Sequence, residues 1–146
     1  MKLPDANLLI YALDDISPRH EPAREWLDKT LSSSETVGFA WQVLLAVVRL
    51  TTRPTIFANP YRPEEVFDVI DVWLDRPAST IAHPTGRHAA ILRGLLTPLG
   101  TAGNLTNDAH LAALAVEYDA ELCSCDADFS RFPGLRWVDP LRNASG

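Results

Sequence analysis

Short apolar runs alternate with longer amphipathic segments along the chain. In the longer segments apolar residues recur every three or four positions, which predicts helices, and the short runs between them predict strands. This alternation favours a parallel β-sheet packed between helices. The predicted strands are residues 2–5, 36–39, 80–82, 120–124 and 136–138. The predicted helices are residues 7–13, 40–52, 85–96 and 106–118, together with two that open at Ser17-Pro18 and at Pro63.

Length and composition are those of one globular domain, which we expect to span residues 1–146. Apolar residues make up 47% of the chain and charged residues 22%, which is ordinary for a globular protein. No apolar run approaches the roughly 18–20 residues of a membrane-spanning helix. The N-terminus also lacks the basic and apolar regions of a signal peptide. We therefore expect a cytoplasmic protein with no membrane segment.

The net charge of −6 argues against binding nucleic acid over the whole surface. It does not exclude a nuclease, because an acidic metal site itself lowers the net charge. All basic residues except Lys2 and Lys29 are arginines, and arginine suits bidentate contacts with phosphate. Codon usage in a GC-rich genome would explain the same bias.

Neither the cysteines nor the histidines predict a zinc site. A disulfide between Cys123 and Cys125 would be strained, so we expect free thiols that are buried or half-buried. A thiolate site would also need two further soft ligands. The histidines show no i,i+4 pair and are expected to be ordinary surface or half-buried residues; they are His20, His83, His88 and His110.

Four aspartates are predicted to meet at one edge of the sheet. Asp5 ends the first predicted strand, and Asp126 and Asp128 follow strand 120–124 directly. Asp108 lies in the first turn of the helix that leads into that strand. In open parallel sheets, ligands bind outside the carboxyl ends of the strands, and all four aspartates are expected at that end.

Each aspartate also has a structural explanation when it is considered alone. Asp5 suits a turn, Asp108 suits a helix N-terminus capped by Thr106, and Asp128 suits the cap of a short helix at Phe129. Together they repel one another, by roughly 3 kcal/mol for two carboxylates about 5 Å apart at an effective dielectric near 20. A cluster therefore needs a counter-charge. Mg²⁺ prefers oxygen ligands, and a Mg²⁺ site suits phosphodiester cleavage.

Three segments carry a family resemblance: LPDAN at residues 3–7, GNLTNDAHLAALA at residues 103–115 and SCDADFSRFPGL at residues 124–135. With their spacing, these segments resemble PIN-domain ribonucleases, and specifically the VapC-type toxins of bacterial toxin–antitoxin pairs. The resemblance covers nearly the whole chain. It implies a three-layer α/β/α fold with a short central parallel sheet of about five strands.

The resemblance also implies an activity and the residues that support it. It implies an endoribonuclease that binds Mg²⁺, or Mn²⁺ as a substitute, and hydrolyses structured or single-stranded RNA with metal-activated water. The catalytic and metal-binding acids would be Asp5, Asp108 and Asp126. Asp128 would be an additional metal-binding acid, with Asn7 and Thr106 as supporting residues.

One position departs from the family pattern. PIN nucleases usually carry a glutamate on the helix after the second strand, often three residues before an arginine. Here Arg49 matches the arginine, and Ala46 stands in place of the glutamate. A branch of the toxins commonly lacks this acid. Three aspartates would then hold one metal ion firmly and a second only weakly. The alternative is a catalytically weak PIN-fold module that binds RNA or an antitoxin.

Other doubly wound folds also place aspartates at strand ends. Asp14-Asp15 resembles the acidic pair of a receiver domain, and the Asp126-x-Asp128 pattern occurs in haloacid-dehalogenase-type phosphatases. Both classes are disfavoured, because a receiver needs a lysine after a late strand and this chain has no lysine beyond Lys29.

The resemblance implies two protein partners besides RNA. One is a small antitoxin that wraps the toxin and places an arginine among the aspartates, as charge complementarity favours. The other is a second copy of the chain, to which Trp41 and Trp73 are candidates to contribute.

Overall fold

A computed structural model describes residues 1–142, whose strands form one five-stranded parallel sheet. The last four residues of the predicted domain, 143–146, lie outside the described residues. The spatial order of the strands is β3-β2-β1-β4-β5. They are β1 (Lys2–Pro4), β2 (Val37–Phe39), β3 (Ser79–Ile81), β4 (Glu121–Cys123) and β5 (Trp137–Val138).

Helices connect the strands and cover the sheet, which confirms the predicted PIN-like α/β/α class. They are α1 (Ala6–Leu13), α2 (His20–Leu31), α3 (Trp41–Thr51), α4 (Pro63–Leu74), α5 (His88–Leu96) and α6 (Thr106–Glu117). Within residues 1–142, none of them is both long and apolar enough to cross a membrane.

The strand order reverses direction beside β1. The chain moves outward from β1 to β2 and β3, then returns to place β4 on the other side of β1. Because crossover connections are right-handed, this reversal puts helices on both faces of the sheet. It also opens a crevice between the carboxyl ends of β1 and β4, the usual place for a ligand in such sheets.

The central strands are apolar on both faces because helices pack against both. Leu3, Phe39 and Leu122 are completely buried, as expected for strands of a covered parallel sheet. Trp73 of α4 is buried in the core and stacks on Phe39 with ring centroids 6.3 Å apart. Its suggested contribution to a dimer surface is therefore wrong, whereas Trp41 is 44% exposed and remains available.

One helix begins later than its first candidate start, and one predicted helix cap is wrong, both for local reasons. The helix after Ser17-Pro18 begins at His20, and Pro22 lies in its first turn, where the missing N–H needs no partner. Thr106 does not cap α6, because the chain enters the helix from a 3₁₀ turn at Gly103–Leu105 and Leu105 occupies the cap position.

The cysteines are free thiols, as predicted: Cys123 is buried and Cys125 half-buried. Burial raises the pKa of each thiol to about 12. Both are therefore protonated at neutral pH and unsuited to nucleophilic chemistry.

Candidate metal centre

Three of the four predicted aspartates converge at the carboxyl edge of the sheet. One carboxylate oxygen from each of Asp108, Asp126 and Asp128 lies within 4.8 Å of the other two. Asp108 comes from the first turn of α6, whereas the other two follow β4. Residues far apart in sequence therefore place three oxygen ligands around one point, as a hard divalent cation requires.

The local backbone after β4 positions two of these acids. Asp126 caps a 3₁₀ turn at Ala127–Arg131, and its Oδ1 accepts a hydrogen bond from the backbone N–H of Asp128 at 2.9 Å. Asp126 is thus the cap that sequence reasoning assigned to Asp128. The side chain of Asp128 is instead about half exposed, with Arg131 Nε 3.8 Å from its Oδ1.

Asp5 lies beside these three acids but outside the tightest group. Its Oδ1 accepts a hydrogen bond from the backbone N–H of Ala6, and its Oδ2 accepts one from the Ser124 hydroxyl, both at 2.7 Å. The first bond makes Asp5 the N-cap of α1. Burial raises the pKa of Asp5, and the nearby charge of Asp126 adds to the shift.

Ser124 connects β1, α1 and the loop after β4, and sequence reasoning assigned it no role. Its hydroxyl is fully buried and donates to Asp5. The same oxygen accepts hydrogen bonds from the backbone N–H of Asp126 at 3.0 Å and from Asn7 Nδ2 at 3.1 Å. Ser124 therefore fixes the relative positions of two acids. Its place at the end of the predicted strand, two residues before Asp126, was the available sequence signal.

Of the two residues predicted to support the acids, Asn7 makes contacts that fit that role. Besides donating to Ser124, its Oδ1 accepts a 3.4 Å hydrogen bond from the backbone N–H of Cys125. Thr106 is exposed, and its side chain makes no hydrogen bond to residues 1–142. A supporting role for Thr106 thus stays a prediction.

The charges in this cluster are not balanced. Asp108 has a pKa raised to about 6, chiefly because it is partly buried and further because Asp126, Asp5 and Asp128 lie near it. A bound divalent cation would compensate this repulsion. Carboxylate oxygens without thiolate or imidazole ligands match Mg²⁺ or Mn²⁺ and not zinc. The residues present therefore fit the metal that the family resemblance implies.

A pocket of about 170 Å³ adjoins the acids. Asp5 and Asp108 line it from the sheet edge and from α6, and α3 contributes Gln42, Ala46 and Arg49. Ala46, which stands where the family usually has glutamate, thus faces the expected place. Its methyl group supplies no oxygen to a metal ion.

A second buried acid lies at the other end of α6 and was missed by sequence reasoning. The side chain of Glu117 is completely buried, and its Oε2 lies 2.6 Å from His88 Nδ1. Its Oε1 accepts hydrogen bonds from the backbone N–H and the hydroxyl of Thr85, at 2.9 and 2.6 Å. His88 Nε2 in turn lies 2.9 Å from His110 Nδ1. This group links α5 to α6.

The PIN domain family matches residues 2–135 of the chain. Ribonuclease VapC37 of Mycobacterium tuberculosis is 49% identical over 140 residues, which cover 96% of this chain and 97% of that protein. Ribonuclease VapC33 of the same species is 39% identical over 142 residues, covering 97% of this chain and 99% of that protein.

Solved structures show the same fold at lower identity. VapBC2 from Rickettsia felis, bound to a DNA fragment from its promoter, has a TM-score of 0.70 at 19% identity and covers 94% of this chain and 96% of its own. Mycobacterium tuberculosis VapC20, a sarcin–ricin loop-cleaving toxin, has a TM-score of 0.67 at 17% identity, with 93% and 99% coverage. The chain belongs to the PIN-domain family, among the VapC ribonucleases.

Proposed function

We propose that this protein is a Mg²⁺-dependent endoribonuclease, with Mn²⁺ as a possible substitute, and the cytoplasmic toxin of a toxin–antitoxin pair. One observation carries the proposal: the carboxylates of Asp108, Asp126 and Asp128 converge within 4.8 Å, with Asp5 beside them. The names of the relatives, all VapC ribonucleases, support the same activity.

The residues have distinct roles in the proposed reaction. Asp5, Asp108 and Asp126 are the catalytic acids; with Asp128 they would hold the cation, and Ser124 keeps Asp5 and Asp126 in register. A bound Mg²⁺ would polarise the scissile phosphate and lower the pKa of the attacking water. Asp128 is more exposed than Asp108 and Asp126, so its carboxylate contributes less to affinity.

The alternative is a PIN-fold module that binds RNA or an antitoxin but cleaves poorly. Ala46 favours it, since α3 lines the pocket without supplying an acid. Three or four aspartates still suffice for one cation, because Mg²⁺ in proteins commonly uses one or two carboxylates together with water and substrate phosphate. We therefore place the catalytic activity first.

Cleavage of total cellular RNA tests the proposal. We expect cleavage with Mg²⁺ or Mn²⁺, none with EDTA, and a loss of at least about 100-fold in Asp126→Asn, because the variant loses a charged metal ligand. The matched control is Asp71→Asn, which changes an exposed acid of α4. Equal cleavage by Asp126→Asn and the parent would reject the assigned site. RNA binding without cleavage under any metal would establish the module instead.

An acidic cleft also suits a basic partner. The proposed antitoxin inserts an arginine among the aspartates, where its charge replaces that of the cation. Several solved neighbours, including the R. felis structure, are VapBC complexes. Co-expression with a candidate antitoxin is expected to yield a co-purifying, non-toxic complex; unchanged toxicity without a complex would exclude that candidate.

We also propose that the protein forms a homodimer. Trp41 and Leu45 lie one turn apart on α3 and are 44% and 56% exposed, so they offer a small apolar surface. Light scattering is expected to show twice the monomer mass; a monomer at all concentrations would contradict this.

A further inference from the structure

One face of α3 borders the pocket beside the acids. Gln42, Ala46 and Arg49 are spaced four and three residues apart, which places them on the same side of the helix. All three line the 170 Å³ pocket that Asp5 and Asp108 also line. We call these three residues the α3 wall. It contains one positive charge and no negative charge.

Arg49 is an exposed cation without an ion-pair partner among residues 1–142 at the 4.0 Å limit. Its own helix offers none, because no acid occurs between Val37 and Tyr61. A glutamate at position 46 would lie three residues before Arg49, at the spacing of a helical ion pair. Ala46 therefore leaves the guanidinium without an acidic partner on its own helix, at a pocket that Asp5 and Asp108 also line.

The remaining member of the α3 wall anchors it to the acid-bearing helix. Gln42 Nε2 donates a 3.2 Å hydrogen bond to the carbonyl of Asn107, the residue before Asp108. This donation fixes which amide atom faces α6, and it leaves the buried Oε1 without a partner in the described part of the chain. This hydrogen bond joins the first turn of α3 to the first turn of α6, on the α3 face that also carries Arg49.

A phosphodiester is the ligand that this arrangement fits. Asp108, one of the three converging acids, lines the same pocket as Arg49, so an RNA strand that reaches a cation held by Asp108 would pass the guanidinium. Guanidinium binds phosphate through two parallel N–H groups. Resting on the proposed ribonuclease function, we propose that Arg49 binds a backbone phosphate of the RNA substrate, and that Ala46 keeps it available.

A purely structural role for Arg49 is the competing explanation. A cation in the last turn of α3 interacts favourably with the helix C-terminus. That role predicts a change in thermal stability only. Phosphate binding predicts a change in RNA affinity and in its dependence on salt.

The test measures anisotropy of a fluorescein-labelled, mixed-sequence single-stranded RNA oligonucleotide in Ca²⁺, with its integrity checked on a gel. Over about 50–200 mM salt, loss of one phosphate contact reduces the slope of log K against log salt by about 0.7. We expect this change in Arg49→Gln, with affinity about tenfold weaker. Arg49→Lys keeps the charge and most of the slope. Arg24→Gln, an exposed arginine of α2, is the control and changes neither.

A second variant tests the role assigned to Ala46. In Ala46→Glu the new carboxylate pairs with Arg49 and adds an oxygen ligand to the pocket, so RNA affinity falls while Mn²⁺ affinity, measured by calorimetry, rises. This variant decides the question even if Arg49→Gln does not fold.

Three results would overturn the inference. They are an unchanged salt dependence of RNA binding in Arg49→Gln, an equal loss of RNA affinity in Arg24→Gln, and an unchanged RNA affinity in Ala46→Glu. The two hypotheses fail separately. If the parent cleaves RNA but Arg49→Gln leaves the salt dependence of RNA binding unchanged, only the role of Arg49 is rejected. If the parent binds RNA without cleaving it and Arg49→Gln changes the salt dependence as expected, only catalysis is rejected.

Discussion

The two ends of α6 carry acids in contrasting surroundings. Asp108 lies in the first turn, where the helix dipole favours a negative charge, yet its pKa is raised to about 6. Glu117 is the last residue, where the dipole disfavours it, and burial opposes its ionisation, yet hydrogen bonds from Thr85 and His88 lower its pKa. Burial and neighbouring groups, and not helix position, therefore decide the direction of each pKa shift.

The comparison separates a structural acid from a candidate functional one. The Glu117 carboxylate accepts three hydrogen bonds that connect α5 to α6. The Asp108 carboxylate accepts none from the residues described and faces other carboxylates instead. A buried polar group that is satisfied stabilises the fold, whereas an unsatisfied, repelling cluster persists where a ligand compensates it.

The largest change in the free energy of unfolding is expected at Glu117, the hydrogen-bonded acid at the C-terminal end of α6. Glu117→Ala leaves His88 and Thr85 without their acceptor, which costs about 3 kcal/mol. Urea unfolding at pH 7 measures this, with Glu25→Ala on the exposed side of α2 as the control. A loss equal to that of the control would show that the buried network does not hold α5 on α6.

Removing the charge of Asp108, at the N-terminal end of α6, is expected to stabilise the metal-free protein. Asp108→Asn relieves repulsion among the acids, so the metal-free protein gains about 1 kcal/mol at pH 7, a small gain because the half-buried side chain is screened by solvent. Urea unfolding in EDTA measures the gain. A destabilised variant would mean that the charged carboxylate makes favourable contacts.

The pH dependence of stability distinguishes the two ends further. The folded pKa of Asp108 lies above its reference value of 3.8, so the folded protein binds the extra proton and loses stability as the pH rises towards 6. The lowered folded pKa of Glu117 gives stability that is present above the reference value of 4.5 and lost as the pH falls through the folded value. We expect Asp108→Asn to remove the contribution of Asp108 to the first trend, to leave that of Asp5, and to leave the second trend unchanged.

Hydrophobic periodicity was sufficient to predict the succession of strands and helices along the chain. A sheet that is covered on both faces has short, fully apolar strands, which differ clearly from amphipathic helices. The meeting of Asp5, Asp108 and Asp126 at one edge followed from parallel topology and from the family motifs. The hydrogen bond from the Ser124 hydroxyl to Asp5 could not be predicted in this way. It joins residues 119 positions apart, and it depends on the register of the strands that carry them.

The pairing of Glu117 with His88, 29 residues away, was missed for a related reason. It depends on how α5 and α6 dock, and no spacing rule within one helix indicates it. Trp73 was suggested for a dimer contact because its stacking on Phe39 across α4 and β2 is likewise a tertiary contact that the sequence pattern does not show. The sequence therefore predicted local elements and shared edges well, and contacts between packed helices poorly.

Calorimetric titration of Mn²⁺ into the metal-free protein and into Asp126→Asn tests the central claim most directly. The three converging carboxylates predict about one tightly bound ion per chain in the parent, with protons released on binding below about pH 6, and affinity at least about tenfold weaker in the variant. Equal affinity in both proteins, or no binding by the parent, would contradict the assignment of these aspartates as a metal centre.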